Sequence, residues 1–248
     1  MSPVEYDLIV GIGFACSCSE SLRLARLQLL SFPYDWVTPR SRTPEDYAHD
    51  LRARARHLCD DFAEWFLPGD FRYGGRIPEN GKDIYFNDRL GLIFNHDFPT
   101  GVPFDRALPG VQRKYRRRAD RLKRCILRAK RILLVRLDRP DLKVPTPVDD
   151  CRFLRDALSS RFPDRRFDVL LFTHDPGTPV ADRRIVRHDE GLTQVTFDLR
   201  NPTPGALDYQ ADVPRVADIL SRLCRVRDYR TLGEKVRHWL SKRRKRCD

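Results

Sequence analysis

Between Tyr6 and Trp36 the chain passes from a strand to a helix through a glycine turn that carries a thiol, and the rest of the sequence has to fit around that passage. Leu8, Ile9, Val10 and Ile12 make a short apolar run, the pattern of a strand covered on both faces. Gly11 and Gly13 let the backbone turn where a side chain would obstruct it. Ser17 and Glu20 have the S-x-x-E spacing of a capping box, which predicts a helix from Cys18. Leu22, Leu24, Ala25, Leu27 and Leu29 give that helix a broad apolar face. Cys16 then falls just ahead of the helix, where unsatisfied N–H groups favour negative charge and ease ionisation of a thiol.

Later segments alternate between helical and strand patterns. A helix is expected from Thr43, with Pro44 at its first position, to about Phe66. Pro68 to Asp83 holds four glycines and two prolines and reads as a loop. Short strands are expected at Asp83 to Phe86 and Leu90 to Asn95, a long basic helix over Val111 to Arg131, and a buried strand from Ile132 to Val135. Asp141 to Pro147 reads as a loop, and a helix follows over Cys151 to Phe162. Phe167 to His174 is a second continuous apolar strand, and Thr193 to Leu199 alternates like an edge strand. A helix over Val213 to Leu223 and a very basic one over Tyr229 to Lys245 complete the chain. The reading is one α/β domain over 1–228 with a basic C-terminal helix or tail over 229–248. Buried strand runs separated by helices predict a mostly parallel sheet with helices on both faces, a three-layer, Rossmann-like arrangement.

Several of these segments resemble a family of uncharacterised bacterial and viral proteins described as papain-like cysteine peptidases. The matching residues are the G-x-x-C opening at Gly13 to Cys16, Pro33-Tyr34-Asp35-Trp36, and Asn95-His96-Asp97-Phe98. Lys114, Tyr115, Arg117, Arg118 and Arg121, with Leu122 in place of an aromatic, match a further basic segment. R-I-L-L-V-R, ending at Arg136, and the strand ending in His174 complete the likeness. The resemblance implies a cysteine nucleophile at a helix N-terminus. It also implies an antiparallel, barrel-like half, for which the sequence offers little.

A cysteine nucleophile needs a base and a group that orients the base. Cys16, His96, Arg136 and His174 all stand at expected strand ends, where neighbouring strands of a parallel sheet bring their loops together. His96 is the first choice of base and His174 the second. Asp35 is the expected orienting carboxylate if its loop folds back. Asp97 is not, because neighbours on a strand point to opposite faces. His49, His57, His188 and His238 are assigned no role. The bond attacked, in a peptide, ester or thioester, is not readable. The competing reading keeps Cys16 structural and makes the chain a binding or transfer protein for a phosphorylated small molecule such as a sugar nucleotide. There Gly11 and Gly13 cradle the phosphate, and Arg117, Arg118, Arg121 and Arg136 clamp it.

Composition narrows the partners. The chain of 248 residues is 41% hydrophobic, enough for a proper core. Its net charge is +12, yet only 8 of the 47 basic residues are lysine. The arginines are spread through every expected helix without a nucleic-acid-binding motif, so nucleic acid is not an expected partner. Arg237 to Arg246, with Trp239 and Leu240, offers at most a weak contact with an anionic membrane surface. No secretory signal or membrane-length apolar run is evident, so a cytoplasmic location is expected. The seven cysteines lack disulfide-framework or zinc-site spacing, and no metal is expected. Gly11 to Cys16 copies the opening of a dinucleotide loop, but with Cys at the third glycine position and no acidic strand end after it, so no cofactor is expected.

Overall fold

The apolar run Leu8–Gly11 is a wholly buried strand, β2. In the computed structural model, which describes residues 2–13, 15–40, 50–63, 65–77, 80–142 and 144–235, it starts a five-stranded sheet. β2 pairs in parallel with β7 (Arg131–Leu137), β7 with β8 (Arg166–His174), and β8 with β10 (Leu192–Phe197). β9 (Arg184–Asp189) runs antiparallel to β10 and forms the edge, so the sheet is mixed.

Successive residues of a strand face opposite ways, and here both faces are covered. Leu8, Val10, Ile132, Leu134, Val169 and Leu171 join one apolar cluster. It includes residues of α2 (Asp50–Cys59), α3 (Phe104–Arg128) and α4 (Val148–Arg161). Ile9, Leu133, Val135, Leu170 and Phe172 join the other, with Cys18 and Leu22 of α1 (Ala15–Leu24) and Val216, Ile219 and Leu220 of α5 (Val213–Leu223).

A second sheet overturns the expected mostly parallel, Rossmann-like fold. Its order is β3 (Val37–Pro39), β6 (Leu92–Pro99), β5 (Lys82–Asn87), β4 (Phe71–Ile77), antiparallel throughout. The chain is therefore an α/β protein with one mixed and one antiparallel sheet, plus a parallel two-stranded ribbon of β1 (Val4–Tyr6) and β11 (Cys224–Val226). The error arose at Pro68 to Asp83, read as a loop because of its glycines. Gly75 has φ +127° and sits where the β4–β5 register shifts, while a Cβ on Gly74 would lie 2.5 Å from the Phe86 ring. These glycines serve a β-bulge and a close packing contact inside a strand.

A cluster of aromatic rings joins this sheet to α3. Phe94 lies 5.5 Å from Tyr115 and from Phe71, and Trp65 stands 6.0 Å from Tyr115. Trp65 is a core anchor, as expected. α2 stops at Cys59 rather than Phe66, because Asp61 and Phe62 turn the chain with positive φ. α3 starts seven residues earlier than expected and carries Pro109 inside it. The 229 boundary also cuts through packed structure, since Tyr229 stacks on Phe32 and accepts a hydrogen bond from the Leu29 N–H at 3.0 Å. The helix start at Thr43 and Pro44, His49, Phe14 and the basic segment from Arg237 to Arg246, with His238 and Cys247, lie outside the described residues. Among the described residues no helix is long and apolar enough to cross a membrane.

Candidate functional site

The glycine turn is tighter than an anion cradle. A Cβ on Gly13 would sit 2.6 Å from Cys18 Cβ and 3.1 Å from Leu137 N. Gly13 thus lets α1 press against the ends of β2 and β7. The Cys18 thiol donates to the Val135 carbonyl at 3.4 Å and is wholly buried. Gly13→Ala should therefore destabilise the fold by about 1–3 kcal/mol, the usual cost of overpacking. Urea unfolding of the variant measures this directly.

α1 begins at Ala15, three residues before the expected start, so Cys16 is inside its first turn and Ser17 is not a cap. The Cys16 thiol is half-buried. Burial and the Glu20 carboxylate push its pKa up to about 11, against the opposing pull of the Cys16 and Ser17 N–H groups. The helix N-terminus acts in the expected direction but is outweighed.

His96 stands on a bulge. Asp83 pairs with Phe98 and Tyr85 with Phe94, so Ile84 alone faces Asn95, His96 and Asp97. The bulge turns Asp97 inward, where it accepts hydrogen bonds from Tyr115 Oη at 2.8 Å and from Lys114 Nζ. The His96 ring is half-buried and meets Trp36 edge-on, 5.6 Å between centroids. Burial lowers its pKa, as do Lys114 and Lys82, while Asp97 and Glu20 act the other way. Glu20 thus bears electrostatically on both Cys16 and His96. In the sequence Glu20 reads as part of a capping box; its place four residues after Cys16, on the same helix face, is the signal for its pairing with the thiol.

Asp35 does not orient a histidine. It is fully buried and accepts hydrogen bonds from Ser19 Oγ, Arg23 Nη2, Gln28 Nε2 and the Phe32 N–H. Burial raises its pKa despite these donors. His174 ends β8. Its Nδ1 accepts from the Leu199 N–H at 3.0 Å, which places the proton of the neutral ring on Nε2. Burial lowers its pKa, and it lines a cavity of about 280 Å³ with Asp138 and Arg139. Among the described residues, no hydrogen bond joins the Cys16 thiol to either imidazole. Tyr209, unremarked in the sequence, lies within electrostatic reach of Cys16 and under the Arg139 guanidinium, 5.3 Å from its ring centroid.

The expected arginine clamp does not assemble. Arg136 is fully buried and ion-paired to Asp50 at 2.6 Å, with its Nε donating to Thr146 Oγ1. Asp50 also pairs with the buried Arg54. Arg117 is exposed on α3, and Arg118 is buried over the Tyr115 ring at 5.1 Å. Arg121 donates to the Ser31 carbonyl at 3.0 Å. Among the described residues no three His, Cys, Asp or Glu side chains form a metal-binding group.

Asp97 holds Lys114 and Tyr115, Trp36 packs on His96, and Arg23 of α1 joins Asp35. The chain matches no protein-family model, no curated protein and no solved structure.

Proposed function

We propose that the chain is a thiol hydrolase or acyltransferase in which Cys16 is the nucleophile, His96 the base and Glu20, in place of Asp35, the carboxylate that supports the base. The observation that carries the reading is that Glu20 acts on both the Cys16 thiol and the His96 imidazole. With a pKa of about 11 the resting sulfur is a thiol, about one in ten thousand being ionised at pH 7. The mechanism is therefore general-base catalysis. His96, whose lowered pKa keeps it neutral, takes the Sγ proton as sulfur attacks the acyl carbon, and then returns it to the leaving group. Glu20 stabilises the imidazolium formed between these steps. The Cys16 and Ser17 N–H groups are candidate donors to the oxyanion. A substrate closing over this face would shorten the thiol–imidazole gap, since such hydrogen bonds often tighten only in the substrate complex.

Glu20→Gln separates this reading from an inert thiol. Removing the carboxylate lowers the Cys16 pKa, and below the pKa each unit lost multiplies the thiolate tenfold. The weaker nucleophilicity of a less basic sulfur takes back about half the gain on a logarithmic scale, so iodoacetamide labelling of Cys16 should rise about threefold per unit. The same variant should slow acetylation of Cys16 by p-nitrophenyl acetate, followed by mass spectrometry, and His96→Ala should slow it by on the order of a hundredfold. Acetylation of Cys16 unchanged by both substitutions would overturn the proposal. The phosphate reading at the glycine turn has less support, with Gly13 packed on Cys18 and Arg136 ion-paired to Asp50.

A further inference from the structure

At the far end of α1 from the thiol lies a cleft of about 690 Å³ whose walls include Arg23, Arg26, Gln28, Ser31 and Arg230. Arg26 takes a left-handed φ of +59° just past the helix and is exposed. It has no carboxylate partner among the described residues. Arg23 spends Nη2 on Asp35 and Ser31, and Arg230 spends Nε and Nη2 on Asp228, so each keeps further N–H donors. Three carbonyls near the end of α1 are already occupied: Ser21 O by Ala25 N, Leu22 O by Leu27 N, and Arg23 O by Arg26 N.

Gln28, in the wall, is buried and belongs to the Asp35 network, its Nε2 donating to both Asp35 oxygens and to the Leu30 carbonyl. The cleft therefore offers guanidinium donors for an anion.

We propose that this cleft binds a small phosphate-bearing molecule, its phosphate among Arg23, Arg26 and Arg230, where guanidinium forks suit its oxygens. Leu24, at the end of α1, lies eight residues along from Cys16, about 12 Å at helical rise, so the site stands independently of thiol chemistry.

Thermal unfolding at constant ionic strength tests this, with glucose 6-phosphate, inorganic phosphate and glucose as probes. Glucose 6-phosphate at about a hundredfold excess over its Kd should raise Tm by on the order of 5 °C. Inorganic phosphate should raise it as well, and glucose not at all. Arg26→Ala, at an exposed position, should abolish most of the shift, as should Arg230→Ala. The remote double variant Arg184→Ala, Arg187→Ala should retain the shift, and so should Cys16→Ala. No shift with glucose 6-phosphate, or an equal loss in the remote variant, would overturn the site. An equal shift with glucose would overturn the role given to the phosphate.

Discussion

Arg136→Met should cost about 3–5 kcal/mol, lowering Tm by roughly 6–20 °C for a chain of this size. Arg136 is wholly buried, with Nη2 2.6 Å from Asp50 and Nε 3.4 Å from Asp138, and Nη1 bonded to the Ile12 carbonyl. Methionine fills much of the space but leaves Asp138 buried without its cation. The loss should depend on pH, with a definite sign. Burial already holds the Asp138 pKa above its ordinary value, and Arg136 pulls it back. Without Arg136 the folded-state pKa rises further above the unfolded one. A group raised in this way contributes stability that is present below the unfolded pKa and is lost as pH rises through the folded pKa. The defect should therefore be larger at pH 8 than at pH 5. Urea unfolding at the two pH values measures it, with the exposed Arg117→Met as a control expected within about 0.5 kcal/mol of the parent. A ligand-clamping arginine would give the opposite result, a stable protein with lost binding.

Asp35→Ala should be nearly as damaging, at about 3–5 kcal/mol. The carboxylate collects Ser19 and Arg23 from α1, Gln28 from the following loop and the backbone of Phe32. Truncation leaves the buried Gln28 amide with the Leu30 carbonyl alone and the Phe32 N–H without its acceptor, at about 1–3 kcal/mol for each donor left unmet. Asp35→Asn should recover only part of the loss, because its NH₂ would face other donors. If Asp35 instead oriented a catalytic base, both variants would melt like the parent and fail only in acyl transfer. Thermal unfolding of the two variants decides between these roles.

Particular residues show how far the sequence carried. Leu8 to Val10 and the strand over Phe167 to His174 were legible as buried because both faces of each are covered, leaving unbroken apolar runs at Leu8 to Val10 and Val169 to Phe172. β4 was not, because its glycines serve a bulge and a ring contact with Phe86, and neither partner is near in sequence. Cys16 was legible as a thiol at the start of a helix, but its elevated pKa depends on burial and on Glu20. Strict strand alternation would turn Asp97 away from His96. The bulge breaks that alternation, yet Asp97 is still unavailable, because Tyr115 and Lys114 hold it.

Local pattern alone determined the strand–glycine–helix passage around Cys16, the long basic helix and Trp65 as a core anchor, since each follows from the periodicity or size of neighbouring side chains. Only the tertiary structure decided that a second, antiparallel sheet exists, that Asp35 and Arg136 are buried ties, and that Glu20 is the carboxylate beside the thiol. Burial and ion pairing depend on distant segments such as Asp50, Gln28 and the β6 bulge. Their distances in space are set by packing, and nothing in the order of residues along the chain records them.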